Sequence, residues 1–219
     1  MLDWTQIDTV LLDMDGTLLD LHFDNQFWLH HLPRRYAEIH QVSAEQARLQ
    51  LIARFTAQQG SLEWYCTDYW SEQLDVDIPA LKEEINHLVA KRPYVDEFLL
   101  ALKNSHRKSL IVTNAHHDSV AVKMRQYDLR PLLDAIVVAH DYNAPKEQQA
   151  FWQQLHQEHH FDPERTLLID DNETVLKAAE DFGIVHLVTL LEPDSKGGHR
   201  QNLCYPAIHH FDEIMPNDE

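Results

Sequence analysis

The stretch Val10-Leu11-Leu12-Asp13-Met14-Asp15-Gly16-Thr17-Leu18-Leu19-Asp20 decides the fold, because a short apolar run ends there in two carboxylates and a glycine turn. The apolar residues predict a buried strand, and Asp15-Gly16 predicts a turn after it. Two acids this close repel each other and resist burial, and a bound cation or a shared proton relieves that repulsion. By itself the stretch also fits an ordinary strand followed by an acidic turn, since Asp and Gly are common turn residues.

Composition narrows the class of protein. A chain of 219 residues is long enough to bury a sizeable core, as one domain with an insertion or as two modest domains. The formal net charge of −18 argues against nucleic acid polymers and anionic membranes as partners, since both need a basic face. No apolar stretch is long enough to cross a bilayer, and the first residues lack the basic and apolar regions of a signal peptide.

Cysteine usage predicts the compartment. Cys66 and Cys204 are the two cysteines of the sequence, too few for a disulfide framework. A reducing compartment, most simply the cytoplasm, is therefore expected. We also expect the protein to be a monomer or a weak homodimer, and we expect its binding partner to be a small molecule.

The spacing of apolar runs predicts an α/β protein. Five short runs rich in Val, Ile and Leu predict buried strands, at 9–13, 110–113, 135–139, 166–170 and 185–189. Helical patterns lie between or beside the later strands, at 96–104, 119–127, 146–159 and 173–182, and Gly183 suits the C-cap of the last of them. Strands that alternate with helices favour a doubly wound parallel sheet.

A long insertion separates the first strand from the second. The region 21–92 contains no strand-like run and carries helical patterns, including a capping box at Ser43-Ala44-Glu45-Gln46 and helices over 64–74 and 80–89. A single crossover needs far fewer residues. We therefore predict an α/β core of residues 1–20 and 93–219, with an all-helical cap of residues 21–92 above the sheet.

Polar residues collect where the predicted strands end. Asp13 and Asp15 follow the first strand, Thr113-Asn114 the second and Asp170-Asp171 the fourth, while Lys146 lies beyond the third, at the start of a predicted helix. Ligands of open α/β sheets bind at the carboxyl ends of the strands. The sequence therefore predicts a site of several acids, one lysine and one hydroxyl at a single sheet edge.

Taken in order, Asp13-Met14-Asp15-Gly16-Thr17, Thr113-Asn114, Lys146 and Asp170-Asp171 resemble the four motifs of the haloacid dehalogenase superfamily of phosphohydrolases. The resemblance spans the whole chain and implies a Rossmann-like sheet with the first strand in its middle, and a helical cap. One departure is Val175, where many members carry a further acid; Asp170 or Glu173 would have to substitute for it. The acid at Asp15 argues against true haloalkanoate dehalogenation, which does not use it.

The residue types assign roles for phosphoryl transfer. Asp13 is expected to attack phosphorus and form an aspartyl-phosphate, and Asp15 to act as general acid and then as base. Mg²⁺ prefers oxygen ligands, so we expect it on the Asp13 side chain, the Asp15 backbone carbonyl and the Asp171 side chain, with Asp170 supporting from behind. We expect the phosphate group to be bound by Lys146, Thr113 and Asn114.

The insertion is expected to select the leaving group. Residues 13–28 and 64–74, with the neighbourhoods of Asn114 and Lys146, resemble bacterial purine 5′-nucleotidases of this superfamily that hydrolyse GMP and IMP. That resemblance makes Asp24, Asn25 and His116 candidates to contact ribose or base. The cap is also rich in aromatic residues, of which we expect one or two to line a cleft and most to pack the cap's core.

Other functions share the same motifs. A phosphatase of broad specificity for small sugar phosphates or phosphoglycolate would use the same site. A phosphomutase would pass the phosphoryl group back to a sugar, and a non-catalytic binding protein could retain the fold. The intact set of Asp13, Asp15, Lys146 and Asp171 argues against the last of these.

Overall fold

A computed structural model describes residues 2–216, and its centre is a sheet of six parallel strands. The strands are β1 Thr9–Leu12, β2 Lys108–Thr113, β3 Ala135–Val138, β4 Thr166–Ile169, β5 His186–Leu190 and β6 Ala207–Ile208. Their order in the sheet is β3-β2-β1-β4-β5-β6, so β1 lies between β2 and β4. The predicted parallel α/β sheet is confirmed. The two-residue strand β6 was not predicted, because so short a run carries no periodic signal.

The central strands β1 and β4 bury both of their faces. Val10 and Leu12 pack into one hydrophobic cluster with Phe98 and Leu102, while Leu11 packs into the opposite cluster with Trp152. Alternate residues of a strand point to opposite faces, so the continuous apolar runs of the sequence fill two layers. The helices that cover these layers are α6 Val95–Asn104 and α7 His117–Gln126 on one side, and α8 Gln149–His159 and α9 Glu173–Phe182 on the other.

One helix boundary matters for the site. The helix predicted over 146–159 begins at Gln149, and Lys146 lies in the turn that precedes it. Pro145 directly before Lys146 disfavours helical backbone at the residue ahead of it, and the chain turns again before the helix starts. As a result, the Lys146 side chain is carried by a loop above β3 instead of by the helix.

The segment 20–90 consists of helices joined by short loops and contains no strand. Its helices are α1 His22–Gln26, α2 Leu32–His40, α3 Ala44–Gln58, α4 Thr67–Leu74 and α5 Ile78–Glu83, with a π-helical turn, Phe27–His31, joining α1 to α2. The capping box predicted at Ser43 forms with Gln46. The helix predicted over 64–74 is broken, because Cys66 has extended backbone and begins α4 as its N-cap.

Two short segments connect this helical part to the sheet. The chain leaves the core at Leu19 and returns at Lys91, and these residues pair as an antiparallel bridge. Hydrogen bonds from Asp20 N–H to the Ala90 carbonyl and from Arg92 N–H to the Leu18 carbonyl extend the pairing. The cap boundaries predicted at 21 and 92 stay a prediction, and this paired ribbon is where we propose them. Within residues 2–216, no helix combines the length and apolar character required to cross a membrane.

Candidate active site

The predicted site residues follow the strands on either side of the point where the strand order reverses. β1 leads into Asp13, and of its neighbours β2 ends at Thr113 and β4 leads into Asp170. Crevices at such a reversal are the usual ligand sites of open α/β sheets. Asp13, Asp15, Thr113, Asn114, Lys146, Asp170 and Asp171 all line one cleft there.

A buried lysine ties two of the carboxylates together. Lys146 Nζ donates to Asp13 Oδ1 at 2.6 Å and to Asp170 Oδ2 at 2.7 Å. Burial works to lower the pKa of Lys146, but the two carboxylates outweigh it and raise that pKa, so the side chain carries a positive charge. The other oxygen of Asp170 accepts the Asn172 N–H at 2.9 Å. Asp170 therefore has both oxygens engaged, and it holds Lys146 in place beside Asp13.

The acids next to this lysine fit a divalent cation. Carboxylate oxygens of Asp13, Asp170 and Asp171 lie within 4.8 Å of one another. Asp13 Oδ2 is buried and has no hydrogen-bond partner among residues 2–216. Burial, reinforced by the charges of Asp13 and Asp170, raises the pKa of Asp171 well above its ordinary value. Mg²⁺ prefers oxygen ligands, so the unpartnered oxygen of Asp13 and the nearby carboxylate of Asp171 fit it.

Gly16 is required by this arrangement. Its φ is +88°, in the left-handed region, and a Cβ on it would lie 2.7 Å from Asp171 Oδ2. A side chain at this position would therefore collide with the carboxylate that follows β4. The turn after β1 and the acid after β4 approach each other this closely only because residue 16 is glycine.

Asp15 belongs to a second buried charge cluster that the sequence did not predict. Lys123 Nζ from α7 lies 2.5 Å from Asp15 Oδ1 and 2.7 Å from Asp24 Oδ2, and Lys82 Nζ from α5 lies 3.0 Å from Asp24 Oδ1. Lys123 and Lys82 are almost completely buried. The available signal in the sequence was the helical spacing, since Lys123 lies three and four residues after Val120 and Ser119 on the face of α7 that packs inward. Asp24 and Lys82 lie in the helical insertion, so the cluster ties Asp15 to the cap.

This cluster sets the protonation of its two acids. Burial raises the pKa of Asp15 to about 6; Lys123 opposes the rise, and Asp24 and Asp13 add to it. For Asp24, burial is outweighed by the charges of Lys123 and Lys82, which lower its pKa to about 2. Asp24 is therefore ionised and fully paired with lysines, and Asp15 titrates near neutral pH.

The loops after β2 and β3 are joined by hydrogen bonds. Asn114 Oδ1 accepts the Lys146 N–H at 2.9 Å, and Asn114 Nδ2 donates to Glu147 Oε2 at 2.9 Å. Tyr65 of the cap donates its hydroxyl to the other oxygen of Glu147 at 2.8 Å. The Thr113 hydroxyl accepts the Ala115 N–H at 3.0 Å and lies at the floor of the cleft. Asn114 thus fixes the turn that carries Lys146.

The cleft has a volume of about 830 Å³ and an aromatic wall. Five aromatic residues of the cap line it: Trp28, Phe55, Trp64, Tyr65 and Trp70. Four of these rings pack edge to face, with Phe55 4.9 Å from Trp70 and 5.6 Å from Trp28 between ring centroids. The expectation that one or two aromatic residues line the cleft was too low. The break at Cys66 turns Trp64 back towards Trp70, whose indole N–H donates to the Trp64 carbonyl at 2.9 Å.

The structure separates the three predicted substrate contacts. Asn25 lines the cleft and donates to Asp194 Oδ2 at 2.6 Å, on the loop after β5. Asp24 also lines it but is occupied by the two lysines. His116 is not among the residues that line the cleft; its Nδ1 lies 2.6 Å from the Thr67 hydroxyl, at a junction of cap and core.

The loop after β5 supplies residues that the sequence analysis missed. Asp194 and Arg200 line the cleft, and Arg200 donates to the Asp171 carbonyl at 2.5 Å. Val175 is buried in α9. Glu173, considered as a substitute for the acid missing at Val175, accepts the Cys204 N–H at 2.6 Å and lies 3.7 Å from Arg200. With Asp170 also engaged, neither acid is placed to add a ligand.

Comparison with known proteins finds one matching family model and several similar proteins. A family model described as "Haloacid dehalogenase-like hydrolase" matches residues 10–188. The chain is 38% identical over 214 residues to the GMP/IMP nucleotidase YrfG of Escherichia coli (strain K12), covering 98% of this chain and 96% of that protein. Among solved structures, a HAD phosphatase from Thermococcus onnurineus has a TM-score of 0.78 at 19% identity and covers 95% of this chain and 96% of that one. The HAD-hydrolase YfnB from Bacillus subtilis, bound to magnesium, has a TM-score of 0.66 at 20% identity, again covering 95% and 96%.

Proposed function

The chain belongs to the haloacid dehalogenase-like hydrolases and is a phosphatase of that family, and we propose that it is a Mg²⁺-dependent 5′-nucleotidase acting on purine nucleoside monophosphates. The observation that carries the proposal is the buried contact of Lys146 with Asp13, whose carboxylate lies within 4.8 Å of that of Asp171. Asp13 Oδ2 has no hydrogen-bond partner among residues 2–216, and Asp13 lines the cleft of about 830 Å³.

Asp13 is the proposed nucleophile. Burial raises the pKa of Asp13 to about 6, and the charge of Lys146 limits that rise, so that the carboxylate is available at neutral pH. Its oxygen attacks phosphorus, the bond from phosphorus to the ester oxygen breaks, and an aspartyl-phosphate forms. Lys146 neutralises charge on Asp13 and on the transferred phosphoryl group, and Thr113 lies on the same floor to donate to a phosphate oxygen.

Asp15 is the proposed acid and base. Its proton goes to the leaving oxygen as that bond breaks, and its carboxylate then takes a proton from the water that attacks the aspartyl-phosphate. Phosphate leaves, and Asp13 and Asp15 return to their starting states. A pKa of about 6 suits both proton transfers near neutral pH. Lys123 holds the far side of Asp15 so that the side chain stays at the cleft.

Mg²⁺ is the proposed cofactor, held by the side chains of Asp13 and Asp171 and by the Asp15 backbone carbonyl. When bound, it supplies positive charge to the phosphoryl oxygens. The support comes from the mutual repulsion of the acids and from the orphaned Asp13 oxygen. YfnB of the same fold is a magnesium-bound protein.

Purine nucleotides are proposed from two lines of support. The GMP/IMP nucleotidase YrfG is similar over nearly the full chain. The aromatic wall of the cleft also offers ring faces and edges at which a base could stack, worth roughly 1–3 kcal/mol per base in single-strand binders. Asn25 of the cap and Asp194 of the loop after β5 hydrogen-bond each other and line the cleft, and they are the polar groups we propose for the ribose or base. The cytoplasmic location and the monomeric or weakly dimeric state stay predictions.

The test is phosphate release with Mg²⁺ from GMP, IMP, AMP, UMP, glucose 6-phosphate and phosphoglycolate. We expect release from GMP and IMP to exceed that from the other esters, and chelation with EDTA to abolish it. A flat profile would instead support a phosphatase of broad specificity. Isomerisation of a sugar phosphate without net release would support a phosphomutase.

Two variants test the roles of the acids. Asp13→Asn is expected to abolish turnover while the thermal unfolding midpoint stays near that of the parent. Asp15→Asn is expected to slow GMP more than p-nitrophenyl phosphate, whose leaving group needs no proton. Substantial turnover by Asp13→Asn, or equal losses on both esters in Asp15→Asn, would contradict these assignments.

A further inference from the structure

A group of metal-ligating side chains outside the catalytic cleft lies where the cap meets the core. The Cys66 thiol, a ring nitrogen of His116 and a ring nitrogen of His140 lie within 4.8 Å of one another. Cys66 begins α4 of the cap, His116 precedes α7, and His140 follows β3. None of the three lines the catalytic cleft. All three are partly buried, so that an ion could reach them from solvent.

Neighbouring side chains engage one ring nitrogen of His116, which leaves the other nitrogen for a metal ion. His116 Nδ1 lies 2.6 Å from the Thr67 hydroxyl and 3.3 Å from Asp118 Oδ2. A proton on Nδ1 satisfies that carboxylate and leaves the lone pair on Nε2. Metal-bound histidines in proteins are oriented in this way, by a carboxylate or carbonyl on the nitrogen that does not bind.

His140 provides the stronger observation. Its Nε2 is buried and has no hydrogen-bond partner within residues 2–216. The His140 ring lies edge to face against that of His116, with 4.9 Å between the ring centroids. An unpaired ring nitrogen away from water costs free energy, and a metal ion would use its lone pair.

We propose that Cys66, His116 and His140 form a Zn²⁺-class site that fastens the cap to the core. A thiolate and two imidazoles are ligands typical of Zn²⁺. With bonds of about 2.0–2.3 Å, ligand atoms of a tetrahedral site lie about 3.3–3.8 Å apart, so small side-chain rotations close the remaining distance. The fourth position falls to water or to Asp68, an exposed carboxylate whose Oδ2 is 3.6 Å from His116 Nε2.

The position of the site gives its consequence. Two of its ligands belong to the core and one to the cap, next to the buried Thr67 that already contacts His116 across the junction. His140 also lies near the backbone of Asn114, whose side chain accepts the Lys146 N–H. An ion here would join the cap to the loops that carry the phosphate-binding residues.

Titration with Co²⁺ in excess Mg²⁺ tests the proposal, because cobalt on a thiolate gives a charge-transfer absorption band that an all-oxygen site does not. We expect one Co²⁺ per chain with this band, displaced by Zn²⁺. The band should be lost in Cys66→Ser and in His140→Gln. It should persist in two matched controls, Cys204→Ser, which removes the other cysteine, and His117→Gln, which removes the histidine next to His116.

Thermal unfolding gives a readout that is independent of the band. With Zn²⁺ at about 100 times its dissociation constant, the midpoint should rise by about 5–10 °C in the parent and in Cys204→Ser, and stay unchanged in Cys66→Ser. Folding of each variant is checked by the midpoint without metal. A missing band in the parent, or a band that survives Cys66→Ser, would overturn the site whatever the enzyme's substrate proves to be.

Discussion

Replacing Lys123 with methionine should destabilise the protein and slow catalysis together. Lys123 Nζ lies 2.5 Å from Asp15 Oδ1 and 2.7 Å from Asp24 Oδ2, with 1% of its side chain exposed. At an effective dielectric constant of about 20, each contact corresponds to about 6 kcal/mol of Coulomb attraction. Most of this is offset by the cost of removing the three charges from water.

The variant removes one charge and leaves its partners buried. Asp24 keeps Lys82 at 3.0 Å, but Asp15 loses its only lysine contact within residues 2–216. Breaking a buried ion pair from one side costs about 3–5 kcal/mol. For a chain of this size that corresponds to a fall of roughly 6–20 °C in the unfolding midpoint. Turnover of GMP should fall by at least about tenfold, since the acid is no longer held at the cleft.

Urea unfolding and GMP turnover measure both effects. The matched control is Lys177→Met, because Lys177 also contacts two acids, Glu180 and Asp181, each at 2.8 Å, but is 59% exposed. The control should lose less than about 1 kcal/mol and keep full turnover. If the free energy of unfolding of Lys123→Met lies within about 1 kcal/mol of that of the control, the cluster does not stabilise the protein as argued. If Lys123→Met hydrolyses GMP at the parent rate, the cluster does not position Asp15.

The remaining predictions concern a glycine and a histidine. Gly16→Ala should abolish most turnover, because its Cβ would lie 2.7 Å from Asp171. The control is Gly60→Ala, which has a similar φ but no atom within 4 Å of the added Cβ, and it should keep its turnover. Equal losses of turnover in the two variants would reject the steric argument. Burial lowers the pKa of His31 despite its 2.8 Å contact with Glu84. Below pH about 6.5 the His31 side chain therefore binds more protons in the unfolded chain than in the folded one, so His31 adds a positive slope to the free energy of unfolding against pH. His31→Gln should reduce this slope in urea titrations at pH about 5–7, and an unchanged slope would contradict it.

The sequence determined the sheet and the residues at its edge. Apolar runs predict buried parallel strands, because a strand covered on both faces must be apolar on both, and the residues that follow such strands meet at one edge. Asp13, Thr113 and Asp170 could therefore be placed together from the order of the residues alone. The edge of the sheet predicted for Lys146 was correct, but the residue lies in the turn before the helix and not in the helix itself.

Only the tertiary structure decided which side chains of distant helices and loops come into contact. Lys123, Asp24 and Lys82 come from three helices, and a lysine in an amphipathic helix resembles a solvated one until its partners are packed against it. The same holds for Cys66, His116 and His140, which are 24 to 74 positions apart in the sequence yet within 4.8 Å in space. Strand periodicity is a local property of the chain, whereas the pairing of buried charges and ligands depends on how distant helices pack, which no local pattern encodes.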